Sequence, residues 1–133
     1  MRLPNPKTFI PAVVIFTVIF YALALSLCHG SALTASWYSM ESCLREGTSG
    51  IMANGRKLDD RRYTAASWDY AFGTRLKVTN LQNGRSVVVE VCDRGPNKKL
   101  YSQGRVIDLS KGAFAAIADL RLGVIPIKIE RVN

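Results

Sequence analysis

The chain has 133 residues, with 18 Lys and Arg against 10 Asp and Glu, a formal net charge of +8 and a single histidine. That length is a prior for one domain. The histidine, His29, stands beside an apolar N-terminal run, so the rest of the chain has no Ser-His-Asp or Cys-His arrangement and no histidine-based zinc site.

Arg2 and Lys7 precede Phe9 to Leu27, a run without charge. A basic start, an apolar stretch and then small residues is the layout of a secretory signal, with cleavage expected among Gly30, Ser31 and Ala32. The run exceeds the usual ~7–15 residues of a signal core. It approaches the ~20 residues that span a bilayer. An uncleaved membrane anchor is therefore an alternative. Lipidation at Cys28 is another, because Leu25-Ser26-Leu27-Cys28 partly resembles a lipoprotein site, although Leu27 stands where a small residue is usual. Each fate places the remainder outside the cytoplasm. The reading is an export segment or anchor over 1–32 and one domain over 33–133.

About 100 residues can bury their own core. All ten acids lie after the apolar run. An exported basic domain suits an anionic partner such as a bacterial wall, whereas nucleic acid is not expected there. The plainer alternative is a soluble basic surface. Cys43 and Cys92 are the cysteines inside the domain. They form a disulfide candidate, the alternative being two separate buried thiols. Two cysteines are too few for a thiolate zinc site, and no Gly-rich phosphate loop follows a strand, so neither metal nor cofactor is expected.

Ala35 to Tyr38 reads as a first strand, and Ser39 to Arg62, rich in Gly, Ser, Asn and charge, as loop. Thr64-Ala65-Ala66 reads as a short strand, followed by a turn at Phe72-Gly73-Thr74. Leu76 and Val78 alternate with Lys77 and Thr79, and Asn83-Gly84 then predicts a tight hairpin turn. Ser86 to Cys92, with four valines, reads as a strand buried on both faces, ended by Asp93-Arg94-Gly95-Pro96. Val106 to Leu109 is another strand. Ser110 can cap a helix from Lys111 to about Leu120 that Gly123 stops. Ile125, Ile127 and Ile129 alternate in a final strand. Many short strands and one short helix predict a small β-barrel or sandwich.

Asp93 and Asp108 stand at or near strand ends, where sites form. A carboxyl beside apolar walls holds its proton to higher pH and can donate it. Equally, each can serve only to cap a turn or a helix start. Trp37, Tyr38, Trp68 and Tyr70 have amphipathic rings that suit stacking on sugars if they share a groove.

Eight runs fall in order: Ala35-Ser36-Trp37-Tyr38, Met52-Ala53-Asn54-Gly55, Thr64-Ala65-Ala66, Phe72-Gly73-Thr74, Val78-Thr79-Asn80, Asn83-Gly84-Arg85, Asp93-Arg94-Gly95-Pro96 and Arg105 to Ser110. Together they resemble the rare lipoprotein A family. The resemblance implies a mainly β fold, a six-stranded double-psi β-barrel with one short α-helix, preceded here by the apolar export segment. It implies lytic transglycosylase action on peptidoglycan glycan strands, in the periplasm or cell envelope, by a monomer. It points to Asp93 and Asp108 as catalytic acids and to Trp37, Tyr38, Asn54, Arg56, Ser67 and Arg94 as substrate-binding positions. Two positions depart from the family pattern. Arg56 stands where members thought active carry Glu, and Ser67 where they often carry His. Arg56 places a cation where an acid is expected, which favours binding of an anionic ligand over proton transfer. A non-catalytic wall-binding or expansin-like module is therefore the second reading.

Overall fold

The computed structural model describes residues 32–133. The apolar run Phe9 to Leu27 and the lipidation candidate Cys28 lie outside them. Strands β1 (Thr34–Tyr38), β2 (Thr64–Ser67), β3 (Arg75–Asn80), β4 (Ser86–Asp93), β5 (Arg105–Ser110) and β6 (Val124–Val132) close into a barrel in the order β1-β5-β2-β4-β3-β6. The pairs β1–β5 and β2–β4 are parallel and the others antiparallel. This is the six-stranded barrel that the family resemblance implies.

The period-2 patterns carry the core. Leu76 and Val78 of β3 pair with Val89 and Val87 of the adjacent β4 and point into the barrel interior, joined by Ile107, Leu109, Ile125 and Ile127, all buried. Each such side chain stabilises the fold by roughly 1.5–3 kcal/mol relative to exposure. The expectation that β4 is buried on both faces is corrected: Val88 is 37% exposed while Val87, Val89 and Val91 point inward. An antiparallel partner lets one face of β4 meet water, so alternation reappears despite the run of valines.

Three short helices replace the single one expected. Helix α1 (Met40–Arg45) sits inside the predicted loop, held by a capping box between Ser39 and Ser42. Helix α2 (Lys98–Ser102) is capped by the Asn97 side chain. Helix α3 (Lys111–Ile117) begins at its Ser110 cap as expected and closes one side of the core with Ala113, Phe114 and Ile117. It stops earlier than predicted, and a separate 3-10 turn at Leu120–Leu122 precedes Gly123.

The β3–β4 connection is longer than the two-residue turn predicted. Gly84 N–H donates to the Asn80 carbonyl at 2.8 Å, and Asn80 N–H donates to Arg85 O at 2.8 Å. Only Gly84 takes positive φ, at 74°, so Asn83 does not adopt the left-handed state that an Asn-Gly hairpin turn requires. The side-chain amide of Asn83 instead donates to Ile117 O at 2.8 Å, beside that of Asn80, and together they close the end of α3.

Gly112 fixes the long loop between α1 and β2. Its N–H donates to Asp60 O at 2.7 Å, and a Cβ added there would lie 2.6 Å from that oxygen. The Asp60 side chain accepts from Met40 N–H at 2.8 Å, which ties α1 to the same point.

Candidate active site

Two register shifts assemble the site. Between β2 and β4, Ala65 pairs with Val91 but Ala66 pairs with Asp93, so Cys92 is skipped. Between β1 and β5, Thr34 pairs with Arg105 but Ala35 pairs with Ile107, so Val106 is skipped. Bulges of this kind re-aim side chains beside sites. Here they bring Ser36, Asp108, Ala66 and Asp93 into one transverse row across β1, β5, β2 and β4. The two aspartates flank Ala66 from either side. Two strand spacings put their backbones roughly 9–10 Å apart, with the buried Ala66 side chain between them.

This row lines a groove of about 490 Å³ together with Tyr38, Glu46, Arg105 and Arg94. Asp93 is held by three donors. Its Oδ1 accepts from Ala53 N–H at 2.9 Å and Arg94 N–H at 2.8 Å, and its Oδ2 from the Tyr38 hydroxyl at 3.2 Å. Burial pushes the Tyr38 phenol well above its ordinary pKa, and the negative charge of Asp93 adds to the effect. The phenol therefore stays a donor to Asp93. Asp108 accepts a short hydrogen bond from the Ser36 hydroxyl. Burial raises its pKa above the usual carboxylate range, while the Ser36 bond and the nearby Arg105 charge oppose the rise.

The Asp93-Arg94-Gly95-Pro96 turn is rigidly seated. The Arg94 guanidinium donates to Ser67 O and Tyr70 O, both at 2.8 Å, and lies 4.0 Å over the Phe72 ring. A Cβ on Gly95 would come within 3.3 Å of the Ala66 Cβ, so the turn packs directly on the row. Trp68 donates from its indole to Pro96 O at 2.7 Å and closes the far side.

A family model described as lytic transglycolase matches residues 30–129. The chain belongs to this family. Curated relatives of the lytic transglycolase chain include proteins named probable endolytic peptidoglycan transglycosylase RlpA from Nostoc sp. (47% identical over 78 residues, 59% of this chain and 20% of the relative) and from Aquifex aeolicus (45% over 92 residues, 69% and 37%). The endolytic peptidoglycan transglycosylase RlpA of Campylobacter jejuni is 40% identical over 100 residues, 74% of this chain and 33% of the relative. The chain thus spans 20% to 37% of the length of these curated relatives. Among solved structures, Streptomyces papain inhibitor aligns with a TM-score of 0.57 at 25% identity over 77% of this chain and 93% of that one. A Clavibacter michiganensis expansin mutant in complex with cellohexaose aligns with a TM-score of 0.54 at 26% identity over 77% of this chain and 50% of that one.

Within the barrel the candidate positions separate. Asp93, Asp108, Tyr38, Trp37 and Arg94 line the groove, but Asn54, Arg56 and Ser67 do not. Trp37 leans 6.5 Å from Phe114 and donates its indole N–H to Leu120 O, so most of its ring serves the core. Asn54 accepts from Arg56 N–H at 3.0 Å and shapes its own turn. Arg56 points to the opposite side of that turn, 4.0 Å from Glu90. Ser67 is buried and accepts from Asp69 N–H. Trp68 and Tyr70 also stand away from the groove. The disulfide candidate is corrected: Cys43 and Cys92 are free thiols. Both pack in one small cluster with Met52 and Leu58, where burial raises the Cys92 thiol pKa. Among the described residues no cluster of three or more His, Cys, Asp or Glu is placed to hold a metal ion.

Ser36, Glu46 and Arg105 were missed by sequence reasoning. Ser36 and Arg105 lie inside recognised runs, but only the barrel register places them beside Asp108. Glu46 caps the C-terminus of α1, an element read as loop, and brings a third carboxyl to the groove.

Proposed function

We propose that this chain is a peptidoglycan lytic transglycosylase that cleaves MurNAc–GlcNAc bonds and leaves 1,6-anhydroMurNAc ends. The row of Ser36, Asp108, Ala66 and Asp93 along one groove carries the reading. It supplies two carboxyl groups with different surroundings, the arrangement that lets one donate and the other accept a proton. Asp108, whose burial keeps it protonated to higher pH, protonates the GlcNAc O4 as the bond to MurNAc C1 breaks. Asp93, fixed by Tyr38, Ala53 and Arg94, takes the proton from the MurNAc C6 hydroxyl, whose oxygen closes onto C1. No water enters, so the spacing that inverting glycosidases need for one is not required. Export to the cell envelope, by the N-terminal apolar segment, belongs to the same proposal, as does action as a monomer.

The test is incubation with purified peptidoglycan and mass spectrometry of the soluble products. Anhydro-muropeptides are expected from the wild type. Asp93→Asn and Asp108→Asn should each lower their yield by at least ~10²-fold, the range for loss of a general acid or base. Yield unchanged by either substitution overturns the assignment.

A second reading, a non-catalytic wall-binding module, draws on Arg56 and Ser67, which replace polar site residues of the resembled family and stand outside the groove. Retention on insoluble peptidoglycan without anhydro products would favour it.

A further inference from the structure

Two cations line the groove that holds Asp93 and Asp108, and they differ in what they touch. Arg94 is committed to the fold: its guanidinium donates to Ser67 O and Tyr70 O and covers the Phe72 ring. Arg105 is not. Among the described residues it enters none of the ion pairs, and neither does Glu46, the remaining acid of the groove. Arg105 stands three positions before Asp108, an odd offset that in an unbroken strand turns two side chains to opposite faces. The bulge at Val106 cancels that offset. Arg105 pairs with Thr34 and Asp108 with Ser36, so both side chains share the groove face. Their backbones lie roughly 6–7 Å apart along β5. The Arg105 charge is felt at Asp108. Burial raises the Asp108 pKa, with Asp93 on β4 and Glu46 at the end of α1 adding to the rise, while the Ser36 hydrogen bond and Arg105 oppose it. An unpaired guanidinium beside a proton donor works against the donor, unless an anion of the ligand meets it.

We infer that Arg105 binds the free lactyl carboxylate of MurNAc beside the scissile bond and couples its recognition to the acid at Asp108. The inference rests on the reading of the groove as a peptidoglycan site. The lactyl ether hangs from C3 of the same ring whose C1–O bond Asp108 is assigned to break, so its carboxyl group lies next to the proton donor, as Arg105 does. Where the strand keeps its stem peptide that carboxyl is an amide without charge, and Arg105 gains little from it. Where the peptide is gone it is a carboxylate, and the planar guanidinium can donate to both of its oxygens. The contact has a second effect. Neutralising Arg105 removes the positive charge that opposes protonation of Asp108, so the bound strand lets Asp108 keep its proton to higher pH. Arg105 is thus a specificity residue whose ligand also prepares the acid.

The probes are peptide-free glycan strands, released from sacculi by an amidase, and the same strands with their lactyl carboxyls converted to methylamides. The second probe removes the charge without restoring peptide bulk. Kd of the full-length chain is measured for each, with anhydro-end formation followed separately by mass spectrometry. The carboxylate strand is expected to bind about fivefold more tightly than the amide strand, the upper range for a partly exposed ion pair. Arg105→Gln should erase that difference, and Arg105→Lys should restore part of it. A merely structural role for Arg105 would weaken both probes alike. In the pH profile of kcat, the decline on the alkaline side should fall at higher pH with the carboxylate strand than with the amide strand, because activity is lost as Asp108 gives up its proton. Equal binding of the two strands by the wild type, or a difference that survives in Arg105→Gln, overturns the inference. Unequal binding without anhydro ends overturns the transglycosylase reading alone, and binding of neither strand overturns both.

Discussion

The Ser36 hydroxyl donates to Asp108 from the neighbouring strand and opposes the effect of burial on that carboxyl. Ser36→Ala is expected to raise the Asp108 pKa further and to cost roughly 1–3 kcal/mol, because a buried acceptor loses its donor. NMR titration of the Asp108 carboxyl and a urea melt would measure the two effects. A sign follows for the whole fold. Asp108 titrates higher when folded than when unfolded, so between the ordinary carboxylate value and its raised value the native state binds more protons. Its contribution is fully present below the unfolded pKa and is lost as pH rises through the folded one. Thermal melts from pH ~3 to ~8, the span of ordinary carboxylate and histidine titration, should show that decline weakened in Asp108→Asn. At this scale the sequence was partly legible. Asp93 was recognisable at the end of β4, whereas Asp108, read near a strand end, lies inside β5; the sequence was silent on their difference, which comes from burial and from donors on other strands.

Elements are joined where backbones come close, and Gly112 at the start of α3 is the tightest such point. Gly112→Ala would force its Cβ against Asp60 O and disturb the 2.7 Å N–H bond. A loss of about 1–3 kcal/mol is expected, the usual cost of overpacking, read as a lower denaturant midpoint. A second test concerns α1: Ser39→Ala removes its capping box and should cost about 1 kcal/mol. Helix α1 was hidden because it is only six residues long and none of them is fully buried, although Met40 and Cys43 pack on the Met52–Leu58 cluster. The Asn83-Gly84 turn was misread because Asn83 is used on the end of α3, a contact that lies 34 residues away in sequence.

For the whole molecule, the net charge of +8 predicts that retention on an anionic wall weakens as salt rises, because exposed charges are screened beyond about 8–10 Å at physiological ionic strength. Sedimentation with sacculi at low and high salt measures it. Yield of anhydro products per bound molecule should change little, since both aspartates assigned to the proposed reaction lie in the groove. Retention independent of salt would mean that the basic surface plays no part in wall binding.

The sequence by itself determined the strands and the family. Alternating Leu76 and Val78, the valines of β4 and the three alternating isoleucines of β6 encode a buried face in the local pattern, and the ordered runs from Ala35 to Ser110 mark the family. Tertiary structure alone decided which polar residues meet. Arg56 and Ser67 were expected at the site from the family resemblance; Arg56 lies 4.0 Å from Glu90 and neither residue lines the groove of Asp93 and Asp108. The row of Ser36, Asp108, Ala66 and Asp93 depends on two bulges in parallel strand pairs, and Ser36 and Asp108 lie 72 residues apart in sequence. A one-residue shift in register turns a side chain to the other face, and no local periodicity records it.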